Sequence, residues 1–135
     1  MSTIEVITED WPLVNFRMNG KQTDADVDHY LKEFEALFHR DETFFALTEV
    51  VEFDANFRHI KRIAEWTKST SALAAKSCRA GALVVKSDSF RFILSSFLLV
   101  TPMPNPFVCV NSREEAINWL RNKAKEEGIE LGPVN

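Results

Sequence analysis

The chain has 135 residues, a formal charge of −4, 45% hydrophobic and 27% charged side chains. This is the make-up of one globular domain with a sizeable core, and only four glycines and five prolines exclude collagenous or low-complexity architectures. The mild acidity gives no support for bulk binding of nucleic acid or of a membrane surface.

Residues 4–8 and 12–18 read as two short strands. In the second, Leu13, Asn15 and Arg17 alternate with Val14, Phe16 and Met18, the period of a half-buried strand, and Gly20 breaks the run. Thr23 is placed to cap a first helix reaching to about His39. Asp24, Asp26 and Asp28 crowd its first turn, and His39 and Arg40 close it, as the helix dipole favours. Val27, Tyr30, Leu31, Phe34, Leu37 and Phe38 recur at three- and four-residue intervals on one face. Phe44 to Val51 is aromatic and β-branched, a strand.

Asn56 then caps a long second helix over 57–79, with Phe57, Ile60, Ile63, Ala64, Thr67, Ala74 and Cys78 as its buried stripe. Gly81 is expected to end it. Ala82-Leu-Val-Val85 is a fully apolar strand, typical of a parallel sheet interior. Ser87 and Asp88 open a third helix through about Val100, and Pro102, Pro104 and Pro106 force an extended connection. Phe107-Val-Cys-Val110 is a further buried strand. Ser112-Arg-Glu-Glu115 is a capping-box pattern for the last helix, whose Ala116, Ile117, Leu120 and Ala124 face inward. The order β-β-α-β-α-β-α-β-α implies an α/β fold with a mainly parallel, mixed five-stranded sheet, its first hairpin antiparallel. One domain is expected over 1–135, with a core at about 3–125 and a short tail at 126–135.

The end of the chain, Pro106-Phe-Val-Cys-Val followed by Ser112-Arg-Glu-Glu-Ala-Ile-Asn-Trp-Leu120, together with Ala82-Leu-Val-Val-Lys and the later Arg91, resembles the STAS superfamily in its SpoIIAA-like branch of small stand-alone proteins. The resemblance spans about residues 3–125, with the C-terminal motif its specific part. It implies the SpoIIAA-like fold and a non-enzymatic regulatory module that binds a partner protein. Family members are switched at a serine in the loop between the third strand and the second helix. Here that segment is Glu52-Phe-Asp-Ala-Asn-Phe57, without serine or threonine, so the phosphoswitch does not transfer. By analogy with other branch members, a carrier or sensor of a lipid or other small apolar or anionic ligand is the alternative.

The residues themselves carry little catalytic signal. The four glycines are too dispersed for a phosphate cradle. His29, His39 and His59 have no metal-ligand spacing with one another or with Cys78 and Cys109, and no cofactor or metal is expected. His29 and Glu33, one turn apart, read as a solvated pair. A nucleophile–base pairing of Cys78 with His59 is the residual enzymatic reading. The cysteines form no CxxC and sit in apolar segments, as buried free thiols of a cytoplasmic protein do. The acidic N-terminus lacks the layout of a signal peptide, and the apolar stretch 90–100 is too short, and too interrupted, to span a bilayer.

Charge is unevenly spread. Residues 1–55 carry 4 basic and 13 acidic side chains, residues 56–96 carry 8 and 2, and residues 97–135 carry 4 and 5. The positive block is largely the second helix, where Arg58, Lys61, Arg62, Lys68, Lys76 and Arg79 fall opposite the buried stripe, with Trp66 and Leu73 on its flank. A solvated helix face explains such a stripe; a face that steers an acidic partner, a phosphate-bearing ligand or an anionic headgroup does so as well. In the third helix Phe92 and Leu99 project away from the core-facing Phe90, Ile93, Leu94, Phe97 and Leu98. A helix apolar on both sides is covered by a loop, by a second copy in a homodimer, or by an apolar ligand.

Overall fold

The computed structural model describes residues 3–19, 22–50, 57–100 and 103–132, without the side chains of residues 3, 57, 97, 98 and 100. Strands β1 (Thr3–Ile7), β2 (Leu13–Asn19), β3 (Phe44–Val50), β4 (Cys78–Val85) and β5 (Phe107–Val110) form one sheet in the order β1-β2-β3-β4-β5. β1 is antiparallel to β2, and each later pairing is parallel. The helices are α1 (Asp24–Phe38), α2 (Phe57–Ser69), α3 (Ser71–Ser77), α4 (Asp88–Val100) and α5 (Arg113–Glu126).

Each parallel strand is added on the same side of its predecessor, so right-handed crossovers place α1 to α4 on one face of the sheet. The cores agree. Val14, Phe16, Phe44, Ala46 and Val85 pack with Val27, Leu31, Phe34, Ile63, Ala74 and Leu94 from these helices. α5, after the last strand, returns across the opposite face, where Leu13, Phe45, Leu47, Ala80, Ala82 and Val84 meet Ala116, Leu120 and Ala124. The strand order has no reversal among the described strands. The crevice that opens where a doubly wound sheet reverses direction is therefore not built, and a pocket has to form between layers.

Local chemistry explains the boundaries. Thr23 Oγ1 accepts the Asp26 N–H at 3.1 Å while Asp26 Oδ2 accepts the Thr23 N–H at 2.8 Å, a reciprocal cap on the first turn of α1. Ser112 Oγ accepts the Glu115 N–H at 3.2 Å and opens α5. His39 caps α1 at its C-terminal end, whereas Arg40 lies beyond the helix with its guanidinium 4.1 Å from the centre of the Trp11 ring. The expected Asn56 cap and the serine-free segment before Phe57 lie outside the described residues, as do Gly20 and Pro102.

The expected helix over 57–79 is corrected. It breaks at Thr70 into α2 and α3, and Cys78 begins a strand. Thr67 Oγ1 donates to the Ile63 carbonyl at 2.7 Å, and the Ser69 and Thr70 hydroxyls donate to that of Trp66 at 3.0 and 2.8 Å. Three hydroxyls competing for helix carbonyls within four residues bend and weaken the helix there. Gly81 does not end a helix; it sits inside β4, opposite Phe107 of β5. The Phe107 ring folds over it so closely that a Cβ on Gly81 would stand 2.2 Å from Phe107 Cε2. Glycine is there because a neighbouring side chain occupies the space of its own.

At the carboxyl ends of β2 and β3, on the α5 face, Arg17 and Glu49 are register partners joined at 3.1 Å. Arg113 at the start of α5 pairs with the same Glu49 and donates to Asn15 Oδ1 at 2.7 Å. One carboxylate between two guanidinium groups thus fastens α5 to the sheet.

Candidate functional site

Register sets the floor of a gap between the sheet and the helices on this face. Phe16, Thr48, Leu83 and Cys109 stand side by side across β2 to β5, flanked by the row of Met18, Val50 and Val85 and by that of Val14, Ala46, Gly81 and Phe107. Over this floor α1 contributes Tyr30 and Phe34, α2 contributes Ile60, Ile63, Trp66 and Thr67, and α4 contributes Phe90 and Leu94. Between them is a cavity of about 130 Å³, closed on one side by Met103 of the connection before β5. A smaller cleft of about 50 Å³ adjoins it, sharing Phe34, Trp66, Thr67, Met103 and Phe107, and reaches Cys78. None of the described lining residues of either space carries a charge.

Why the space exists follows from side-chain shape. An aromatic row fills the α1 side: Phe16 stacks on Phe34 with centroids 4.5 Å apart, and Trp66 stacks on Phe38 at 5.8 Å. Such rings are stiff plates that cannot flow into a remaining gap. The polar groups in the wall are hydroxyls. Tyr30 and Thr48 face one another at 3.5 Å, a weak contact, and burial pushes the Tyr30 phenol up to about 12. The phenol therefore keeps its proton, and one hydroxyl of the pair is available to a guest carbonyl or hydroxyl.

The cationic stripe of α2 is divided by its neighbours. Arg58 pairs with Asp24 at 3.1 Å and Arg62 with Asp28 at 3.4 Å, so the acidic first turn of α1 answers the arginines that sequence order kept apart. His59, 4% exposed, also sets Nε2 2.9 Å from Asp24 Oδ1, while its Nδ1 has no hydrogen-bond partner among the described residues. The hydrogen bond from His59, with the Arg58 charge, holds the Asp24 carboxyl below its ordinary value. Lys61 and Lys68 are exposed and make no ion pair among the described residues. Trp66 stands apart from this outer stripe: it is wedged against Phe34 and Phe38, donates to Glu35 Oε1 at 3.1 Å, and lines the cavity.

Phe92 and Leu99 do project outward, at 74% and 86% exposure. His29 and Glu33 are both exposed. Cys78 and His59 are not brought together. Cys78 opens β4 beside Phe44 at the amino-terminal edge of β3, while His59 is in the first turn of α2, a helix about 20 Å long that starts at the other edge. Burial also pushes the Cys78 thiol up to about 12 and raises that of Cys109, opposite to what a nucleophile needs. Sequence reasoning missed the cavity's floor residues Met18, Thr48 and Leu83, because their periodicity is that of any core. It also missed the α1–α2 ion pairs. Arg58 in the first turn of a helix is unfavourable for the dipole, and that was the available sign of an acidic neighbour.

No helix among the described residues is long and apolar enough to cross a membrane. No family model matches the chain, and no curated protein does. Among solved structures, a protein of the DUF3478 family from Shewanella loihica PV-4, uncharacterised and described as having a SpoIIAA-like fold, superposes with a TM-score of 0.54. The match covers 89% of this chain and 92% of the other at 17% identity. Five mixed strands in sequential order, four crossover helices on one face and the last helix on the other give this chain a SpoIIAA-like fold.

Proposed function

We propose that this chain is a non-enzymatic binding module whose cavity takes an uncharged apolar group, that is, a carrier or sensor of a lipid-like or aromatic small molecule. The observation that carries this reading is the cavity of about 130 Å³ whose fourteen described lining residues are all uncharged. An engineered protein cavity of about 150 Å³ with similar walls stays dry and binds benzene. A single ring or a short acyl segment is thus the matching size, with the adjoining cleft as room for an extension. The Tyr30–Thr48 hydroxyls at 3.5 Å suit one polar atom of such a guest. A charged headgroup would have to stay outside, since none of the described lining residues offers it a charged partner and its burial unpaired is costly.

Capture of an acidic protein partner by the α2 stripe has less support. Two of its cations, Arg58 and Arg62, are already matched by Asp24 and Asp28.

The test is titration of the purified chain with a fluorescent fatty acid probe of short chain, whose acyl segment matches the cavity while its carboxylate and fluorophore stay outside. Saturable binding that Leu83→Trp abolishes is the expected result, because the indole would fill the space above β4. Native mass spectrometry of freshly purified protein should show a bound apolar species in the parent and none in Leu83→Trp. Equal probe uptake by both proteins sinks the reading.

A further inference from the structure

We infer that the chain docks on anionic lipid bilayers through the outward sides of α2 and α4, which flank the cavity and bring it to the membrane; this rests on the cavity being a site for an apolar ligand. Sequential crossovers put α1, α2 and α4 over successive strand pairs, so α2 lies between the other two. Its flank towards α1 carries the paired Arg58 and Arg62. Lys61 and Lys68 are seven residues apart, two turns along one line of the helix, and fall on the flank turned from α1 towards α4. Both are exposed without an ion pair among the described residues, and so is Lys86 just before α4. Glu65 is the one exposed carboxylate on α2, and Asp88 of α4 is tied to Arg91.

α4 supplies the apolar half. Phe90 and Leu94 line the cavity, while Phe92 and Leu99, again two turns apart, stand in solvent with Ser95 and Ser96 exposed between them. Exposed lysines together with exposed aromatic and aliphatic side chains are the combination that holds amphipathic helices in a membrane interface, here divided between two neighbouring helices. A second copy of the chain fits this surface less well, because a twofold contact would bring the lysines of both copies together. An anionic bilayer answers the lysines and the apolar pair at once. Each lysine close to an anionic leaflet strengthens binding about fivefold, and moving Phe92 or Leu99 into the acyl boundary adds about tenfold or more for each.

Co-sedimentation with vesicles of phosphatidylcholine, with and without phosphatidylglycerol, tests this on the full chain. Binding to the anionic vesicles that weakens with salt is expected, with little to phosphatidylcholine alone. Lys61→Ala with Lys68→Ala should weaken it about thirtyfold. Phe92→Ser with Leu99→Ser should weaken it a hundredfold or more. All four positions are exposed, so circular dichroism and thermal unfolding should match the parent. Absence of parent binding, or variants that bind as the parent does, overturns the proposal. So does a parent dimer in light scattering that Phe92→Ser converts to monomer without vesicle binding. The fatty acid titration in vesicle-free buffer separates the two readings. Probe binding kept while vesicle binding is absent overturns docking alone, and vesicle binding without probe binding overturns the cavity reading.

Discussion

The two faces of the sheet solve the same packing problem with opposite means. On the α5 face, small residues on both sides, Ala80 and Ala82 below and Ala116 and Ala124 above, let the helix backbone approach closely around Leu120. Leu13, Phe45, Leu47, Ala116 and Leu120 are all essentially inaccessible. On the other face four helices share the cover, and the contacts of α1 and α2 with β2 and β3 are made by rings: Phe16, Tyr30, Phe34, Phe38, Phe44 and Trp66. Large plates bury more apolar area per residue, yet they leave a gap where three helices diverge. One helix seals; four helices leave room.

Substitutions can break or sharpen this contrast. Leu120→Ala on the sealed face should cost about 3–4 kcal/mol, since nothing around it can collapse into the space. Urea unfolding would measure it. Gly81→Ala should cost up to about 3 kcal/mol by overpacking, because the added methyl meets the Phe107 ring. Phe107 also lines the cavity, so the fatty acid probe should bind more weakly to that variant even where it remains folded. Leu94→Ala removes the same atoms as Leu120→Ala, but from the wall of an existing gap. A loss of about 1–2 kcal/mol is expected from transfer alone, and equal costs at positions 94 and 120 would erase the distinction between the faces.

The smallest effect concerns the α1–α2 contact. Asp24 is depressed by His59 and Arg58, so its contribution is present above the ordinary carboxylate pKa of 3.8 and is lost as pH falls through the lower folded-state value. Asp24→Asn should therefore lower the unfolding midpoint slightly at neutral pH, and the difference should vanish in acid below that value. A difference that persists there would assign the effect to packing.

Most of the architecture was legible because hydrophobic period and caps agree locally. Thr23 and Ser112 mark their helices, and the alternation in 13–18 places Phe16 and Asn15 on opposite faces of β2. What escaped depends on partners distant in sequence. Nothing near Gly81 reveals that a ring from position 107 will cover it, so a glycine after a helical pattern reads as a helix stop. The same distance hides the pairing of Asp24 and Asp28 with Arg58 and Arg62: blocks of opposite charge that look polarised along the chain are neighbours in space. The floor of the cavity escaped for another reason. Its walls are core residues by type, and only the misfit of their shapes makes a void.

The sequential strand order has a consequence for how the molecule is made. Every strand pairs with the one immediately before or after it, so the ladder can grow in step with synthesis, closing one crossover at each parallel addition. The second face is different. Leu13, Phe45, Leu47 and Ala82 have no cover until α5 follows β5, so a nascent chain presents a bare apolar sheet surface for most of its emergence. The interval before α5 docks is then when a chaperone or a neighbouring nascent chain has most to bind.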